Sequence, residues 1–533
     1  MAKTRLYLLD TTLRDGQQTT GVDFSLADKQ EIAAMLDELG VDYIEGGYPG
    51  ANPVDDIFFA KRPPLASARF TAFGMTKRAG RSAANDPGLA AALAADADSI
   101  CLVAKSWDFH VATALGISQK ENLTSIAESV RAVVQKKREA MIDCEHFFDG
   151  FKANPTYALA CARAAHDSGA RWVVLCDTNG GCLPHEVEEI VAKVARHVPA
   201  ERLGIHAHND TENAVANTLA AVGAGVRQIQ GTLNGLGERC GNANLVSLLP
   251  TLLLKDPYRR LYQLKMARAK LTRLTKLSRR LDDILNRPSD RHAPYVGESA
   301  FAHKGGIHVS AVMKDSRTYE HVRPRLVGNQ RQIVVSDQAG RSTIVHRLRA
   351  AGIRLKPQDA RVTKILRSIK AQGFEGVSYD GAEASFELFA RRQLGRCPEF
   401  FQVRHYRVTV AAQRENGAWK KISHAEVQLE IDGEAVVGTG EGDGPVHALD
   451  RALRQDLKRY HRYIKDWQLV DYKVRILSRG TDAVTRVLVE SADRQGRQWR
   501  TMGVSSNIVE ASFHALMDSL TYKLLCAGAK PKA

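Results

Sequence analysis

The first half of the chain alternates short apolar runs with stretches of helical character, and this alternation limits the folds it can adopt. The runs that indicate strands are Leu6–Leu9, Tyr43–Glu45, Phe70–Phe73, Ser99–Val103, Met141–Glu145, Trp172–Cys176, Leu203–Ala207 and Arg227–Gly231. About eight strand–helix units in roughly 250 residues match the number and length of a TIM (β/α)8 barrel. A doubly wound open α/β sheet is the alternative, but no GxGxxG turn follows the first strand.

The helix expected between the first two strands is marked at both ends. Ser25 is a suitable N-cap, Asp28 occupies the third position of the first turn, and Gly40 is suited to end the helix. The side chains that would form its apolar stripe are Ile32, Met35, Leu36 and Leu39. The pattern therefore predicts an amphipathic helix from Ser25 to Leu39.

A second amphipathic helix is predicted from Lys265 to Leu285. Its apolar side consists of Leu271, Leu274, Leu277, Leu281 and Ile284. Its opposite side consists of Arg268, Lys270, Arg273, Lys276, Arg279 and Arg280. We interpret the basic side as a solvated face, with contact to the phosphates of a ligand as the alternative.

The end of the chain contains an internal repeat with an offset of about 63 residues. The matched pairs are Gly433 and Gly496, Gly440 and Gly503, Val446 and Val509, Ala448 and Ala511, Ala452 and Ala515, Leu453 and Leu516, and Leu457 and Leu520. Each copy has the pattern of a strand, a turn, a strand and a helix. This ββα repeat predicts a small α+β domain, and its lack of catalytic-looking side chains favours regulation or dimerisation.

Three parts of the chain are expected from these patterns. Residues 1–265 would form the barrel, and residues 266–400 would form linker subdomains that include Pro288 and Pro294. Residues 401–533 would form the domain with the repeat. A chain of 533 residues is long enough for two to four domains.

Composition excludes several classes of protein. The net charge of +15 suits anionic substrates, but the basic residues are dispersed and no nucleic-acid-binding motif accompanies them. No apolar run reaches about 18 residues, and no signal peptide is recognisable, so neither a membrane span nor export is expected. The eight cysteines are scattered without a CxxC pair, which favours reduced thiols and a cytoplasmic location.

A pair of histidines in a predicted strand indicates a metal site. His206 and His208 are two residues apart, so both imidazoles point to the same face, about 7 Å apart along the strand. Asp15, after the first strand, is the candidate third ligand, because the strands that carry these residues lie two apart in a closed barrel. Two imidazoles and a carboxylate suit a divalent cation. Two structural histidines are the alternative interpretation.

Other polar residues follow predicted strands at the end where a barrel places its chemistry. Arg14 could stabilise negative charge on an oxygen, or it could form a structural ion pair with Glu45. Glu145 could assist proton transfer, or it could be a solvated strand end. Thr178 could bind a carboxylate, or it could cap a helix. The loop Gly235-Leu-Gly-Glu-Arg-Cys-Gly-Asn242 could bring Asn242 near the metal, or it could be a tight closing turn.

Three motifs together resemble one family. Asp10-Thr-Thr-Leu-Arg-Asp-Gly-Gln-Gln18, His206-Ala-His-Asn209 and Gly237-Glu-Arg-Cys-Gly-Asn242 are similar to signatures of the 2-isopropylmalate, homocitrate and citramalate synthases, a family that includes the HMG-CoA lyases. The repeat, with Gly440-Glu-Gly-Asp-Gly-Pro-Val446, resembles the LeuA-type domain that senses leucine or isoleucine in this family. The resemblance covers nearly the whole chain.

The resemblance implies an acyltransferase that joins acetyl-CoA to a 2-oxo acid with a divalent metal, Mn, Mg or Zn. It implies metal ligation by Asp15, His206 and His208, with Asn242 in or near the coordination shell. It also implies that Arg14 polarises the keto oxygen of the substrate. Glu145 and Thr178 would contact the substrate.

The resemblance extends to the linker region. His303-Lys-Gly-Gly-Ile-His308 keeps the family pattern His-x-x-Gly-x-His, which implies that His308 deprotonates acetyl-CoA from the partner subunit of a homodimer. Tyr319 matches a linker-region tyrosine near the same site. The acidic or amide residue that usually follows the motif is absent, because Val309 and Ser310 come next.

Two segments resemble the citramalate branch of the family, in which pyruvate is the oxo acid. They are Glu45-Gly-Gly-Tyr-Pro-Gly-Ala-Asn-Pro53 and Glu145-His-Phe-Phe-Asp-Gly150. The candidate pocket residues are Met75, Cys101, Leu102 and Asp143. Barrel core is the alternative for the first three, and Asp143 replaces an apolar or aromatic pocket residue of some relatives.

The expected reaction is condensation of acetyl-CoA with pyruvate and hydrolysis of the thioester, giving (R)-citramalate and CoA for isoleucine biosynthesis. Isoleucine would be the effector of the C-terminal domain. The alternatives are a 2-isopropylmalate or homocitrate synthase with a larger oxo acid, or a lyase of the HMG-CoA lyase type. The C-terminal repeat argues against a lyase, and the intact ligand set argues against a purely regulatory amino-acid sensor.

Overall fold

The computed structural model describes residues 3–336, 338–415, 418–455, 457–478 and 480–531. The chain divides into two compact units. The first unit runs to Phe301 and takes in Val322–Gln330. The second unit comprises Ala302–His321 and the chain from Arg331 onward.

The first unit is a closed barrel of eight parallel strands, arranged around the ring in chain order. A short strand, β1 (Thr4–Arg5), precedes the barrel. The barrel strands are β2 (Tyr7–Asp10), β3 (Tyr43–Gly47), β4 (Arg69–Met75), β5 (Ser99–Lys105), β6 (Glu139–Glu145), β7 (Trp172–Asp177), β8 (Leu203–Ala207) and β9 (Gln228–Gly231). The prediction of a TIM barrel with these eight strands is confirmed. After the barrel, β10 (Tyr262–Gln263) pairs in parallel with β1.

Helices lie between the strands and after the last of them. They are α1 (Leu26–Leu39), α2 (Pro53–Ala60), α3 (Pro87–Ala94), α4 (Asp108–His110), α5 (Gln119–Gln135), α6 (Phe147–Ala153), α7 (Pro155–Asp167), α8 (Pro184–Val194), α9 (Ala214–Gly223), α10 (Leu245–Leu254), α11 (Tyr258–Leu261) and α12 (Leu274–Ile284). The predicted ends of α1 are confirmed. Ser25 and Asp28 form both bonds of a capping box, and Gly40 ends the helix with a φ of 98°.

The predicted helix from Lys265 to Leu285 is only partly correct. Its first part, Arg268–Arg273, is a 3-10 helix, and the α-helix α12 begins at Leu274. Arg280 binds Glu31 on α1 through two bonds of 2.6 and 2.9 Å, and Arg273 binds Glu38 on the same helix. The side that carries these arginines is therefore held to the barrel by ion pairs.

The barrel strands separate two apolar layers. The smaller layer fills the inside of the barrel and consists of Leu9, Tyr43, Cys101, Met141, Trp172, Val174 and Cys176. The larger layer lies between strands and helices and includes Leu8, Ile44, Ile100 and Leu102. Side chains alternate between the two layers along each strand, because successive residues of a strand point to opposite faces.

The second unit begins with paired short strands and continues through helices. The strands are β11 (Ala302–His303) and β12 (Gln332–Ile333), and the helices are α13 (Gly306–Lys314), α14 (Arg341–Ala350), α15 (Ala360–Phe374) and α16 (Glu383–Gln393). Side chains of α14, α15 and α16 contribute to a separate apolar core that includes Ile344, Ile365 and Phe386. This region matches the helical linker expected from the sequence.

The end of the second unit contains the repeat as two similar substructures. The first consists of β13 (Gln402–Glu415), β14 (Ala418–Ile431), β15 (Glu434–Gly442) and α17 (Pro445–Leu453), and short α18 (His461–Ile464) follows it. The second consists of β16 (Gln468–Ile476), β17 (Thr485–Ala492), β18 (Gln498–Ser505) and α19 (Ile508–Cys526).

Among all the helices of the described residues, none combines the length and the apolar character that crossing a membrane requires.

Each copy of the repeat has one strand more than predicted. The additional strands, β13 and β16, are edge strands and precede the residues that match between the copies. The matched glycines have equivalent positions, because a Cβ atom on Gly440 or Gly503 would meet the carbonyl oxygen of Ala448 or Ala511 in the following helix. The repeat therefore reflects the same close packing of a strand under a helix in both copies.

Candidate metal centre at the barrel mouth

A cluster of three potential metal ligands lies at the carboxyl ends of the barrel strands. His206 Nε2 is 3.1 Å from Asp15 Oδ2 and 3.3 Å from His208 Nε2. One ligand atom from each residue lies within 4.8 Å of the others, and all three side chains are buried. His206 belongs to β8, His208 follows that strand directly, and Asp15 lies in the turn after β2.

Asn242 lies next to this cluster. Its backbone pairs with that of His208 in an antiparallel bridge. Its carboxamide is buried, and among the described residues neither its oxygen nor its nitrogen has a hydrogen-bond partner. A buried polar group without a partner is costly. A cation beside Asn242 would satisfy its oxygen, so the donor set fits a divalent metal.

The turn that carries Asp15 is held by its own backbone. The carbonyl oxygen of Thr11 accepts from the N–H groups of Arg14, Asp15 and Gly16 at 3.2, 2.8 and 3.1 Å. Thr12 Oγ1 accepts from the N–H of Leu233, which follows β9. β9 pairs with β2 in the closed barrel. The turn after β2 therefore meets the loop after β9, although the two lie at opposite ends of the barrel sequence.

Arg14 extends from this turn toward two carboxylates. Its Nε donates to Glu45 Oε2 at 2.7 Å, and its Nη1 is 3.5 Å from Asp15 Oδ2. Its guanidinium lies 4.0 Å from the centre of the Phe73 ring. The ion pair with Glu45, one of the two interpretations of Arg14, is therefore present. It leaves the Arg14 guanidinium beside the ligand cluster.

Burial and mutual charge shift the pKa values in the cluster. Burial favours the neutral form of Asp15, but Arg14 and His206 outweigh it and hold the pKa of Asp15 well below its usual range. Burial opposes a charge on His206, but the hydrogen bond to Asp15 raises its pKa to about 9. Burial and charged His206 lower the pKa of His208 to about 3. The Asp15 carboxylate thus stays ionised and favours positive charge beside it, as a cation site requires.

Glu45 shows the opposite shift. Burial raises its pKa to about 7, Arg14 opposes this, and the nearby carboxylate of Asp143 adds to it. Its Oε1 has no hydrogen-bond partner among the described residues. Burial therefore opposes a full negative charge on Glu45 even though the Arg14 guanidinium lies beside it.

Glu145 ends β6, Thr178 directly follows the neighbouring strand β7, and both have partners within the protein. Glu145, the last residue of β6, forms an ion pair with Lys105, the last residue of β5. The Thr178 hydroxyl accepts from the backbone N–H of His146 at 2.8 Å. Thr178 therefore links the ends of β6 and β7. Glu145 is held by its ion pair and is only partly buried, so it is not a free strand end.

The candidate pocket residues face different directions. Met75 lies at the end of β4, on the same face of the strand as Phe73, and is half-buried. Asp143 and Cys101 are buried on the inner side of the barrel. Leu102, also predicted as a pocket wall, belongs instead to the layer between strands and helices. This part of the prediction is wrong, because Cys101 and Leu102 alternate and only Cys101 points inward.

His308 and Tyr319 lie in the second unit. His308 is on α13, and Tyr319 follows a short 3-10 helix at Ser316–Thr318. Their rings stack, with centroids 4.1 Å apart and an angle of 26° between the planes. The structure thus brings these two predicted residues together.

Two groups near the site were not found from the sequence. Lys29 is fully buried, and its Nζ donates to the carbonyl oxygens of Leu13 and Gly46, which adjoin Arg14 and Glu45, and to Asp55. The sequence feature that could have revealed Lys29 is its position on the apolar side of α1, three residues before Ile32. Gln230 on β9 contacts His206 Nδ1 at 2.7 Å.

The fold and the cluster define a class of protein, a (β/α)8 barrel with a donor set for a divalent cation at the carboxyl ends of its strands. Comparison with known protein families assigns this barrel and the rest of the chain to three domain families. Residues 5–279 match the HMGL-like family model. Residues 295–376 match a homocitrate synthase post-HMGL domain-like model, and residues 380–524 match the LeuA allosteric (dimerisation) domain.

Relatives of similar length match nearly the whole chain. An (R)-citramalate synthase of Aquifex aeolicus is 48% identical over 525 residues, covering 98% of each chain. An (R)-citramalate synthase of Geobacter sulfurreducens is 46% identical, again over 98% of each chain. A probable 2-isopropylmalate synthase of Methanopyrus kandleri is 33% identical over 96% of this chain and 97% of its own. The chain therefore belongs to the HMGL-like family, in its citramalate and 2-isopropylmalate synthase group.

Proposed function

We propose that the protein is an (R)-citramalate synthase that condenses acetyl-CoA with pyruvate and hydrolyses the resulting thioester. The observation that carries the proposal is the buried cluster of Asp15, His206 and His208 with Arg14 beside it. The choice of pyruvate is supported by the names of the relatives with 42–48% identity. The proposed product is citramalate with free CoA.

The residues of the mouth have distinct proposed roles. Asp15, His206 and His208, with Asn242 beside them, would hold the divalent cation. Such a cation polarises a carbonyl oxygen and orients the oxo acid when it is bound. Arg14 would neutralise the negative charge that develops on the keto oxygen as its carbon is attacked. Glu45 and Phe73 hold the guanidinium in place for this role.

Proton transfer is assigned on the family resemblance. The methyl group of acetyl-CoA loses a proton to a base, and the resulting carbon forms a bond with the keto carbon of pyruvate. The alkoxide takes up a proton, and water then cleaves the thioester. His308 is the proposed base and Tyr319 its neighbour. Glu145, paired with Lys105, is proposed to support the transfer, and Thr178 to bind the substrate carboxylate.

The substrate pocket is proposed to be lined by Met75 at the end of β4, close to the Arg14–Phe73 contact. A half-buried methionine at this position suits the methyl group of pyruvate better than it suits the branched chain of 2-oxoisovalerate. The metal is proposed to be Mn, Mg or Zn, since the mixed nitrogen and oxygen donor set is compatible with each.

The C-terminal domain is proposed to form a homodimer and to bind isoleucine. Support comes from the LeuA family model and from apolar side chains exposed along β16, where Val470, Val474 and Ile476 lie. Apolar strand faces of this kind suit pairing with a second copy. The division at residues 265 and 400 and the cytoplasmic location stay predictions.

Thiol release from acetyl-CoA tests the proposed reaction. The full-length protein is assayed with pyruvate, 2-oxoisovalerate and 2-oxoglutarate, each before and after removal of metal with EDTA and after addition of Mn²⁺, Mg²⁺ or Zn²⁺. We expect activity with pyruvate that metal removal abolishes and metal addition restores. A preference for 2-oxoisovalerate would identify a 2-isopropylmalate synthase instead, as the relative from Methanopyrus kandleri is named.

Replacement of the proposed base is a separate test. We expect His308→Ala to lower turnover at least tenfold while metal content stays unchanged, since His308 is not part of the ligand cluster. Tyr319→Phe serves as the control that keeps the ring stacked on His308 but removes the hydroxyl. Unchanged turnover of His308→Ala would remove this residue from the mechanism.

A further inference from the structure

A chain of hydrogen bonds crosses the inside of the barrel below the metal centre, and the proposed mechanism makes no use of it. Gln230 Oε1 accepts from His206 Nδ1 at 2.7 Å, and Gln230 Nε2 donates to Asp143 Oδ1 at 2.9 Å. All three side chains are buried. Asp143 belongs to β6 and Gln230 to β9, and two other strands separate these in the ring. The contact therefore exists only because the barrel is closed.

The direction of each bond follows from the groups involved. A carboxylate oxygen accepts hydrogen bonds, so Asp143 receives the Nε2–H of Gln230. The amide of Gln230 must then present its oxygen to His206. That oxygen can only accept, so the His206 nitrogen that faces it, Nδ1, carries a hydrogen.

This arrangement selects one form of the His206 ring. With Nδ1 protonated and bound to Gln230, the other nitrogen, Nε2, is the one left to bind a cation. Nε2 is the atom that lies 3.1 Å from Asp15 and 3.3 Å from His208. Groups that hold the second nitrogen of a histidine ligand orient its ring and fix its tautomer.

We infer that Asp143 and Gln230 are positioning residues of the metal centre, with Asp143 orienting the Gln230 amide and Gln230 orienting the His206 imidazole. The inference rests on the proposed metal centre but not on the choice of oxo acid. It also assigns Asp143 a role other than that of a pocket wall. Its carboxylate is engaged inside the barrel, where an apolar or aromatic residue would leave the Gln230 amide only the longer bond of 3.5 Å to Gln228 Oε1.

Two matched substitutions in β9 test the inference. Gln230→Met keeps the length of the side chain but removes the acceptor for His206. Gln228→Met is the control, because Gln228 is equally buried on the same strand and makes no bond to a metal ligand. Its Nε2 contacts the Met141 sulfur at 3.4 Å, and its Oε1 accepts only a long bond of 3.5 Å from Gln230 Nε2, which Asp143 holds at 2.9 Å. Binding of Co²⁺ to the metal-free full-length proteins is measured by calorimetry and by the visible absorption of the ion.

We expect Gln230→Met to weaken Co²⁺ binding about 10- to 100-fold and to change the visible spectrum. Gln228→Met should bind Co²⁺ as the wild type does. Asp143→Leu leaves Gln230 in place without its orienting partner, and a smaller loss in the same direction is expected. This variant also provides a second test if Gln230→Met does not fold.

A spectroscopic measurement addresses the ring directly. The proton NMR spectrum of the Co²⁺-loaded wild type should show a strongly shifted, exchangeable N–H signal from His206 Nδ1. In Gln230→Met this signal should exchange faster or disappear, while Gln228→Met should retain it. A purely structural role for Gln230 would leave the signal unchanged.

The outcomes separate the two proposals. Absence of Co²⁺ binding to the wild type would contradict the metal centre of the proposed function itself. Binding to the wild type with unchanged affinity and spectrum in Gln230→Met would overturn the positioning role alone. Equal losses in Gln230→Met and Gln228→Met would also overturn it, because the effect would then follow from any apolar substitution in β9.

Discussion

The inside of the barrel has two levels that differ in chemistry although the same strands build both. On β3, Tyr43 occupies the lower level and Glu45 the upper one. On β6, Met141 lies below Asp143. Two residues along a strand correspond to roughly 6.6 Å. Over this distance the interior changes from rings and sulfur atoms to buried charges.

This difference shows how the barrel separates stability from function. The lower level joins Tyr7, Tyr43 and Trp172 through ring contacts and a bond of 3.3 Å from Trp172 Nε1 to the Tyr43 hydroxyl. The upper level concentrates charge that burial disfavours, as the raised pKa of Glu45 shows. The lower level should therefore contribute stability, and the upper level should be tolerated for its chemistry.

The largest expected effect is the removal of an upper-level ligand. We expect His208→Ala to abolish tight metal binding and to lower turnover with pyruvate by on the order of 10³-fold, since a lost Lewis acid costs several kcal/mol of transition-state stabilisation. Metal content and thiol release are the measurements. His185→Ala, outside the cluster on α8, is the control. Normal metal content in His208→Ala would contradict the ligand assignment.

The next effect concerns the lower level. We expect Trp172→Ala to lower the free energy of unfolding by about 3–5 kcal/mol, because it removes a fully buried ring. The folded fraction should still bind Co²⁺ with an affinity close to that of the wild type. Denaturant unfolding and calorimetry measure the two quantities. A loss of metal affinity without a loss of stability would show that the levels are not separable.

A smaller effect is expected at Arg14. Arg14→Lys keeps the positive charge but loses the Nε bond to Glu45 and the flat contact with Phe73. We expect turnover to fall about 100-fold with metal affinity nearly unchanged, a magnitude typical of losing one charge-stabilising donor. Steady-state kinetics with pyruvate measure the change. A rise in KM alone would indicate that Arg14 binds the substrate but does not stabilise the developing charge.

The effect that is smallest per pH unit is expected at Asp10, on the outer side of the upper level. Burial raises the pKa of Asp10 to about 7, against opposing hydrogen bonds from Thr12. Between pH 4 and 7 the folded protein therefore keeps a proton that the unfolded chain has lost, so stability from this group decreases as pH rises. We expect the melting temperature of Asp10→Asn, relative to the wild type, to increase from pH 5 to pH 8.

The magnitude at Asp10 is limited by the linkage relation. The difference between the two proteins changes by at most about 1.4 kcal/mol for each pH unit inside the window. Thermal unfolding at pH 5, 6, 7 and 8 provides the comparison. Parallel profiles for the two proteins would show that Asp10 is not a source of the pH dependence.

Much of the first unit was predictable because its signals are local. The eight strands follow from apolar runs between helices, and α1 is delimited by Ser25, Asp28 and Gly40. The second unit was less so. The edge strands β13 and β16 were missed, because edge strands bury little and their patterns are weak. In the first unit, the 3-10 segment at Arg268–Arg273 was missed, since its spacing of leucines suits either type of helix.

The direction of side chains in the barrel could not be read from the sequence. Ser99, Ile100, Cys101 and Leu102 are all buried, because strands of a parallel barrel are covered on both faces. Without alternation of polar and apolar residues, nothing in the sequence shows which of Cys101 and Leu102 faces the centre. Closure of the barrel decided this, and it placed Leu102 outside.

By itself, the sequence determined the barrel, the repeat and the residue types of the candidate metal centre, because each is visible in the order and spacing of residues along the chain. The tertiary structure alone decided which side chains meet across the barrel. Gln230 lies beside His206 on the neighbouring strand, but it reaches Asp143 only because the closed barrel brings β9 to face β6. The same closure brings the turn at Asp15 to His206. Such contacts depend on three-dimensional distances that sequence spacing does not contain.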